Sequence, residues 1–259
     1  MLLPNGAKTF DFMSIFRSLS LCVLLLCPTF GSAQSANIAV ASNFLSSAHV
    51  LKQQFERDYP HTLRIISGST GKLYAQIIHG APFDIFLAAN STEPERLEKE
   101  QRIVVGSRFT YAEGILVLLC HDKLQQVDHK TLHSKKDYRL SIANPALAPY
   151  GYAASQVIEK LGLRLKQSQV VYAENVSQAL MYVATGNVDY GFVAASQIMD
   201  KYSRSKCIWN VPADWYTPLV QQAVLLKRAA QNKAAYEFLN FLKSNQAKQI
   251  IHNLGYRVP

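Results

Sequence analysis

Asn37-Ile-Ala-Val-Ala41, Leu63-Arg-Ile-Ile66 and Ile85-Phe-Leu-Ala88 are three short apolar runs, and the stretches between them carry helical spacing. Phe44, Ala48, Leu51 and Phe55 fall on one face of a helix, and Leu73 and Ile77 lie four apart on another. Residues 93–101 read as a charged surface helix. A β-α-β-α-β order of this kind predicts a parallel sheet covered by helices. After a longer strand at 114–119 the pattern restarts. Leu140-Ser-Ile-Ala143 is a strand, 151–161 a helix, 170–172 a strand, 176–184 a helix and Tyr190-Gly-Phe-Val193 a strand. A loop with Trp209 and Trp215 leads to a second long strand at 219–226, and a helix with Ala235, Phe238 and Leu242 on one face follows. The expectation is an α/β fold of two lobes, each a mostly parallel sheet flanked by helices. Residues 37–113 and 227–259 form the first lobe and 120–218 the second, with hinge crossings at 114–119 and 219–226.

The N-terminus has a different character. Lys8 and Arg17 precede the apolar run Leu19-Ser-Leu-Cys-Val-Leu-Leu-Leu-Cys27, followed by Pro28 and the small residues Gly31-Ser-Ala33. A basic segment, a short apolar core and a small-residue exit predict a cleaved signal peptide over 1–33, with Met13 as an alternative start. About 12 apolar residues are too few to span a bilayer. The protein is therefore expected outside the cytoplasm.

The formal net charge is +9, and loss of the leader removes only Lys8, Arg17 and Asp11. Lys and Arg are scattered, with no basic run or aromatic–basic stripe, so no nucleic-acid partner is expected. The surplus instead suits solubility and weak steering of anions. Cys22 and Cys27 leave with the leader, and Cys120 and Cys207 remain, which is compatible with one disulfide in an oxidising compartment without requiring it. No His or Cys pair has metal-ligand spacing.

Four segments share one local logic, in which a strand ends, small or hydroxyl residues follow, and a helix begins. They are Val40-Ala-Ser-Asn43, Ile66-Ser-Gly-Ser-Thr-Gly71, Asn144-Pro-Ala-Leu-Ala-Pro-Tyr-Gly151 and Glu174-Asn-Val176. A helix start offers unsatisfied N–H groups and a partial positive charge, and several of them converging on a cleft make an anion site. Plain N-capping accounts for any one segment alone. Enzymatic signatures are missing: Ser67–Gly71 is not Gly-x-Ser-x-Gly, and there is no Walker loop or Gly-x-Gly-x-x-Gly. The seven histidines read as solvated surface groups, so no catalytic residue is assigned and the chain is read as a non-enzyme.

Ile38-Ala-Val-Ala-Ser-Asn-Phe44, Ser67-Gly-Ser-Thr-Gly-Lys-Leu-Tyr-Ala-Gln-Ile77 and Gly80-Ala-Pro-Phe-Asp-Ile-Phe-Leu-Ala-Ala-Asn90 together resemble the periplasmic molybdate-binding proteins of ABC importers. The segments at 143–151, 174–176 and Gly186-Asn-Val-Asp-Tyr-Gly-Phe-Val193 extend the resemblance, which runs from about residue 36 to Tyr256. It implies a type II periplasmic-binding-protein fold with the ligand cleft between the lobes. Carried over position by position, the ligand hydroxyls fall on Ser42 and Thr70, with Asn43 and Ser69 beside them, and the backbone donors fall on Tyr150 and Val176. One branch of the family uses a tyrosine hydroxyl where this chain has Ala194. Tyr150 or Asn43 is expected to supply the missing donor, as in the branch with a tyrosine and an asparagine at those positions.

Molybdate and tungstate are dianions without protons at neutral pH, so uncharged donors satisfy them in a dry site. Phosphate keeps a proton and requires an acceptor, which disfavours it, whereas sulfate is separated only by size. The implied function is capture of molybdate or tungstate and delivery to an ABC permease by a monomer, with no cofactor and molybdenum present only within the oxyanion. Another oxyanion such as sulfate, a secreted hydrolase of similar fold and a host-interaction protein are the alternatives.

Overall fold

The computed structural model describes residues 33–121, 126–135, 137–199 and 207–259. Residues 1–32 of the expected signal peptide lie outside the described residues. Among the described residues, ten strands form two five-stranded mixed sheets, β2-β1-β3-β10-β4 and β7-β6-β8-β5-β9. The first sheet comprises β1 (Ser35–Ala41), β2 (Thr62–Gly68), β3 (Ile85–Leu87), β4 (Phe109–Gly114) and β10 (Leu219–Leu225). The second comprises β5 (Leu116–Cys120), β6 (Leu140–Ala143), β7 (Val170–Ala173), β8 (Tyr190–Ala194) and β9 (Ile208–Asn210). The helices are α1 (Leu45–Asp58), α2 (Thr70–Ile78), α3 (Thr92–Lys99), the single turn α4 (Thr131–Ser134), α5 (Pro149–Lys160), α6 (Val176–Ala184), α7 (Lys233–Lys243) and α8 (Asn245–Asn253). None of the described helices is long and apolar enough to cross a membrane.

Both sheets follow one plan. Three strands run parallel (β2, β1 and β3; β7, β6 and β8), and a fourth, β10 or β5, pairs antiparallel with the third. Alternation along the strands builds a core on each face of the first sheet. Ile38, Val40, Ile85, Leu87, Ala223 and Leu225 pack with Leu51, Phe55, Phe238 and Leu242 of α1 and α7. Their neighbours Ala39, Phe86, Ala88 and Val224 turn to the other face, where Leu73, Ile77 and Leu97 of α2 and α3 cover them. Phe55 is fully buried and meets the rings of Tyr59, Phe238 and Phe241. Truncating it to Ala would cost about 3–5 kcal/mol.

Three local features differ from the sequence reading. The expected strand at 114–119 is two strands broken at Ile115, because Gly114 pairs with Leu219 in the first sheet and Leu116 pairs with Ala194 in the second. Both expected crossing segments are therefore sheet strands. The chain changes sheets at Ile115 and again over residues 216–218. The helix expected from Gly151 begins at Pro149, whose fixed φ suits a first helical position, while Ala148 before it is extended (φ −127°, ψ 121°). Ile208–Asn210, expected as loop, pairs with β5 as an edge strand, and Cys207 just before it forms a disulfide with Cys120 (Cα–Cα 5.2 Å).

Candidate functional site

The carboxyl ends of β1, β2, β6 and β7 face one another across the two lobes, and each runs into a helix start. A small cavity of about 10 Å³ lies there, lined by Ala41, Ser42, Asn43, Ser69, Thr70, Ala89, Ala148, Pro149, Tyr150 and Val176. All six residues expected at the site meet in this one cavity, although they come from four separate segments. They are only 1–6% exposed. Bulk water is thus shut out, and every hydrogen bond inside is strengthened. None of the lining residues carries a charge.

The hydroxyls at the start of α2 behave differently from ordinary caps. Ser69 occupies the N-cap of α2 with extended backbone (φ −68°, ψ 148°), yet its side chain makes no capping bond. Its Oγ is buried and, among the described residues, has no hydrogen-bond partner. A buried hydroxyl left unpaired costs about 1–3 kcal/mol, which a ligand at this position would recover. Thr70 Oγ1 accepts from the Ala89 N–H at 3.1 Å, which leaves its own proton to donate. By contrast, Asn175 is a true cap of α6: its side chain accepts from the Gln178 N–H at 3.1 Å. Val176 and Tyr150, in the first turns of α6 and α5, bring backbone N–H groups that have no partner within their own helices.

Tyr150 or Asn43 is expected to replace a missing side-chain donor, and the polar ends of both find partners outside the lining. Asn43 Nδ2 donates to Gln221 Oε1 at 3.0 Å and to the Tyr256 hydroxyl at 3.3 Å, while Tyr256 donates to the Asn43 carbonyl at 2.8 Å. Gln221 Nε2 lies 3.5 Å from the Tyr150 hydroxyl. Neither Gln221 nor Tyr256 lines the cavity. What Asn43 and Tyr150 present to the cavity is therefore chiefly backbone at a helix start. Ala194 is fully buried at the end of β8, away from the lining. Burial pushes the Tyr111 and Tyr150 hydroxyls well above the ordinary tyrosine range. It raises Tyr256 to about 12 against the opposing pull of its bonds to Ser196 and Asn43.

The lobes touch all around the cavity. The Gly71 N–H donates to the Leu147 carbonyl at 2.9 Å, Ser177 Oγ donates to the Ser42 carbonyl at 3.0 Å, and Lys72 Nζ lies 2.8 Å from Glu174 Oε1. Ser196 Oγ donates to the Tyr256 hydroxyl at 2.8 Å. Glu174, the one carboxylate in the four segments, is thus half-exposed, ion-paired and not among the lining residues. The histidines include one departure from the surface reading. His61 is 2% exposed, with Nδ1 accepting from the Gln34 N–H and Nε2 3.0 Å from Glu237 on α7. Sequence reasoning missed Gln221, Tyr256, Tyr111, Ser177 and Gly114, all of which act on the site across long sequence separations.

Two α/β lobes closed over a dry, uncharged, donor-lined cavity define a solute-binding protein of the two-lobed type II fold. Residues 36–257 match the family of bacterial extracellular solute-binding proteins. The chain is 44% identical to the molybdate-binding protein ModA of Azotobacter vinelandii, over 90% of this chain and 93% of that one. It is 42% identical to ModA of Rhodobacter capsulatus, over 84% and 86%. The solved structure of the Azotobacter vinelandii periplasmic molybdate-binding protein superposes with a TM-score of 0.82 at 39% identity, covering 86% of this chain and 99% of that one. The chain belongs to the extracellular solute-binding proteins and, within them, to the ModA family.

Proposed function

We propose that this protein captures molybdate, or tungstate of nearly equal size, in the cavity and delivers it to an ABC permease. The observation that carries the reading is the set of uncharged donors converging on one buried space, with Ser69 Oγ unpaired there. An oxyanion without protons needs donors alone, and this lining supplies hydroxyls and helix-start N–H groups with no carboxylate to meet a protonated phosphate. Ser42, Ser69 and Thr70 would give hydroxyls, and Asn43, Tyr150 and Val176 backbone N–H groups. Because the donors come from both lobes, one ligand gripping both favours the closed form, and hinge motion at the strand crossings near 115 and 216–218 would admit it. Relatives named for molybdate binding and for the periplasm support this reading, and the basic-then-apolar leader fits export followed by cleavage near Ala33. The binding protein acts as a monomer that meets its permease at the membrane.

The test is a thermal-shift and calorimetric series with molybdate, tungstate, sulfate, phosphate and vanadate. Molybdate at a hundredfold excess over its Kd should stabilise the fold by about 2.7 kcal/mol. Absence of any shift would sink the reading, and a shift with sulfate alone would reassign the ligand.

A further inference from the structure

Gln221 is a fully buried polar residue in the middle of β10, where an apolar side chain would be ordinary. Its amide is held from three sides. Oε1 accepts from Asn43 Nδ2 at 3.0 Å and lies 3.0 Å from the Tyr111 hydroxyl, which is also 3.2 Å from the Ala88 carbonyl. Nε2 points at the Tyr150 hydroxyl, which belongs to the opposite lobe. At 3.5 Å that contact is long for a hydrogen bond, so its strength alone is small. The shape around it is more telling. A Cβ built on Gly114 would lie 2.1 Å from the Tyr150 hydroxyl, 3.0 Å from Tyr150 Cζ and 2.8 Å from Gln221 Nε2. Gly114 is not among the residues with positive φ, so what matters at this position is space and not backbone freedom.

We propose that Gly114 and Gln221 form a seat on the first lobe that the Tyr150 hydroxyl must enter for the cleft to shut, and that Gln221 is the positioning residue linking that closure to the placement of Asn43. This inference rests on reading the cleft as a molybdate trap. Tyr150 serves both ends of the link, since its backbone lines the cavity while its hydroxyl fills the seat. When the lobes part, Gln221 Nε2 loses its partner across the cleft and its amide is freer to turn, which loosens the hold on Asn43. The Ser196–Tyr256 bond, also between lobes, ties the far side of Asn43 to the same event.

The experiment compares wild type, Gly114→Ala, Tyr150→Phe, the Gly114→Ala/Tyr150→Phe double variant and Gln221→Met. Molybdate affinity and dissociation rate are measured together with the small-angle scattering radius, with and without molybdate. Gly114→Ala should weaken binding about ten- to hundredfold through overpacking, speed dissociation, and lose the ligand-induced contraction. The double variant should recover part of both, because removing the hydroxyl relieves the closest approach, at 2.1 Å, while Gln221 Nε2 at 2.8 Å stays. A merely structural role for Gly114 predicts no such rescue. Gln221→Met, which fills the same volume without the amide, should raise the dissociation rate and provides the test if Gly114→Ala fails to fold. If wild type binds and contracts while Gly114→Ala and Gln221→Met do the same, the seat is overturned and the molybdate reading stands. An unrescued double variant overturns it as well. Failure of wild type itself to bind molybdate overturns the reading beneath it.

Discussion

Ser69 and Thr70 are adjacent hydroxyls at one helix start, yet they stand in different energetic positions. Ser69 Oγ makes no hydrogen bond within the described residues, so Ser69→Ala removes none from the unliganded fold. Its melting temperature should hold or rise slightly, while molybdate affinity falls about tenfold for one lost charge-assisted bond. Thr70 Oγ1 caps the buried Ala89 N–H, so Thr70→Val should cost about 1–3 kcal/mol of stability as well as affinity. Thermal melts of the free variants beside calorimetric titrations separate the two. A Ser69→Ala protein that loses stability and binds like wild type would contradict the assignment. The hydroxyl loops were legible in the sequence because residue type and position after a strand carry the signal locally. Gln221, Tyr256 and Gly114 were not. Their meaning arises only when Asn43 meets residues 178 and 213 positions away, and nothing about a glutamine in a strand or a glycine at a strand end announces such a partner.

At the level of elements, the repeated strand–helix alternation was readable because each strand is apolar and each helix shows its face at the expected period. The two strands left unread, Phe109–Gly114 and Ile208–Asn210, lack that signature. Phe-Thr-Tyr-Ala-Glu-Gly mixes apolar and polar residues and ends in glycine, and the three residues Ile208-Trp-Asn210 give no periodicity to count. β9 is an edge strand attached to β5 by three paired residues and the Cys120–Cys207 disulfide. The bridge closes 87 residues of chain, so removing it with Cys120→Ala/Cys207→Ala should cost about 2–4 kcal/mol. That corresponds to a fall of roughly 5–15 °C in Tm. Cys120 pairs with Tyr190 at the start of β8, whereas the cleft lies at the other end, where Leu116 meets Ala194. Molybdate affinity at 20 °C should therefore change less than about threefold. A large loss of affinity without loss of stability would show that β9 shapes the cleft.

For the whole molecule, the hydrogen bonds that join the lobes around the cavity are uncharged apart from the Lys72–Glu174 ion pair, and this sets the response to pH. Tyr111 and Tyr256 from one lobe and Tyr150 from the other are buried near one another, and burial holds all three hydroxyls above the ordinary value of 10. A group with a raised folded pKa keeps its full contribution below the unfolded pKa and loses it as pH climbs through the folded one. Stability from this cluster should thus be flat up to about pH 10 and fall above it. For Tyr256 the loss centres between the unfolded value and about 12. Denaturant melts from pH 7 to 12 check this, and Tyr111→Phe should reduce the alkaline slope. Binding should differ in its pH range. No lining residue titrates below that range, and the Lys72–Glu174 pair at the rim is half-exposed, worth about 0–1 kcal/mol at most. Molybdate affinity should consequently stay level between pH 6 and 9, and a slope in that interval would mean that a histidine or carboxylate outside the cavity governs closure.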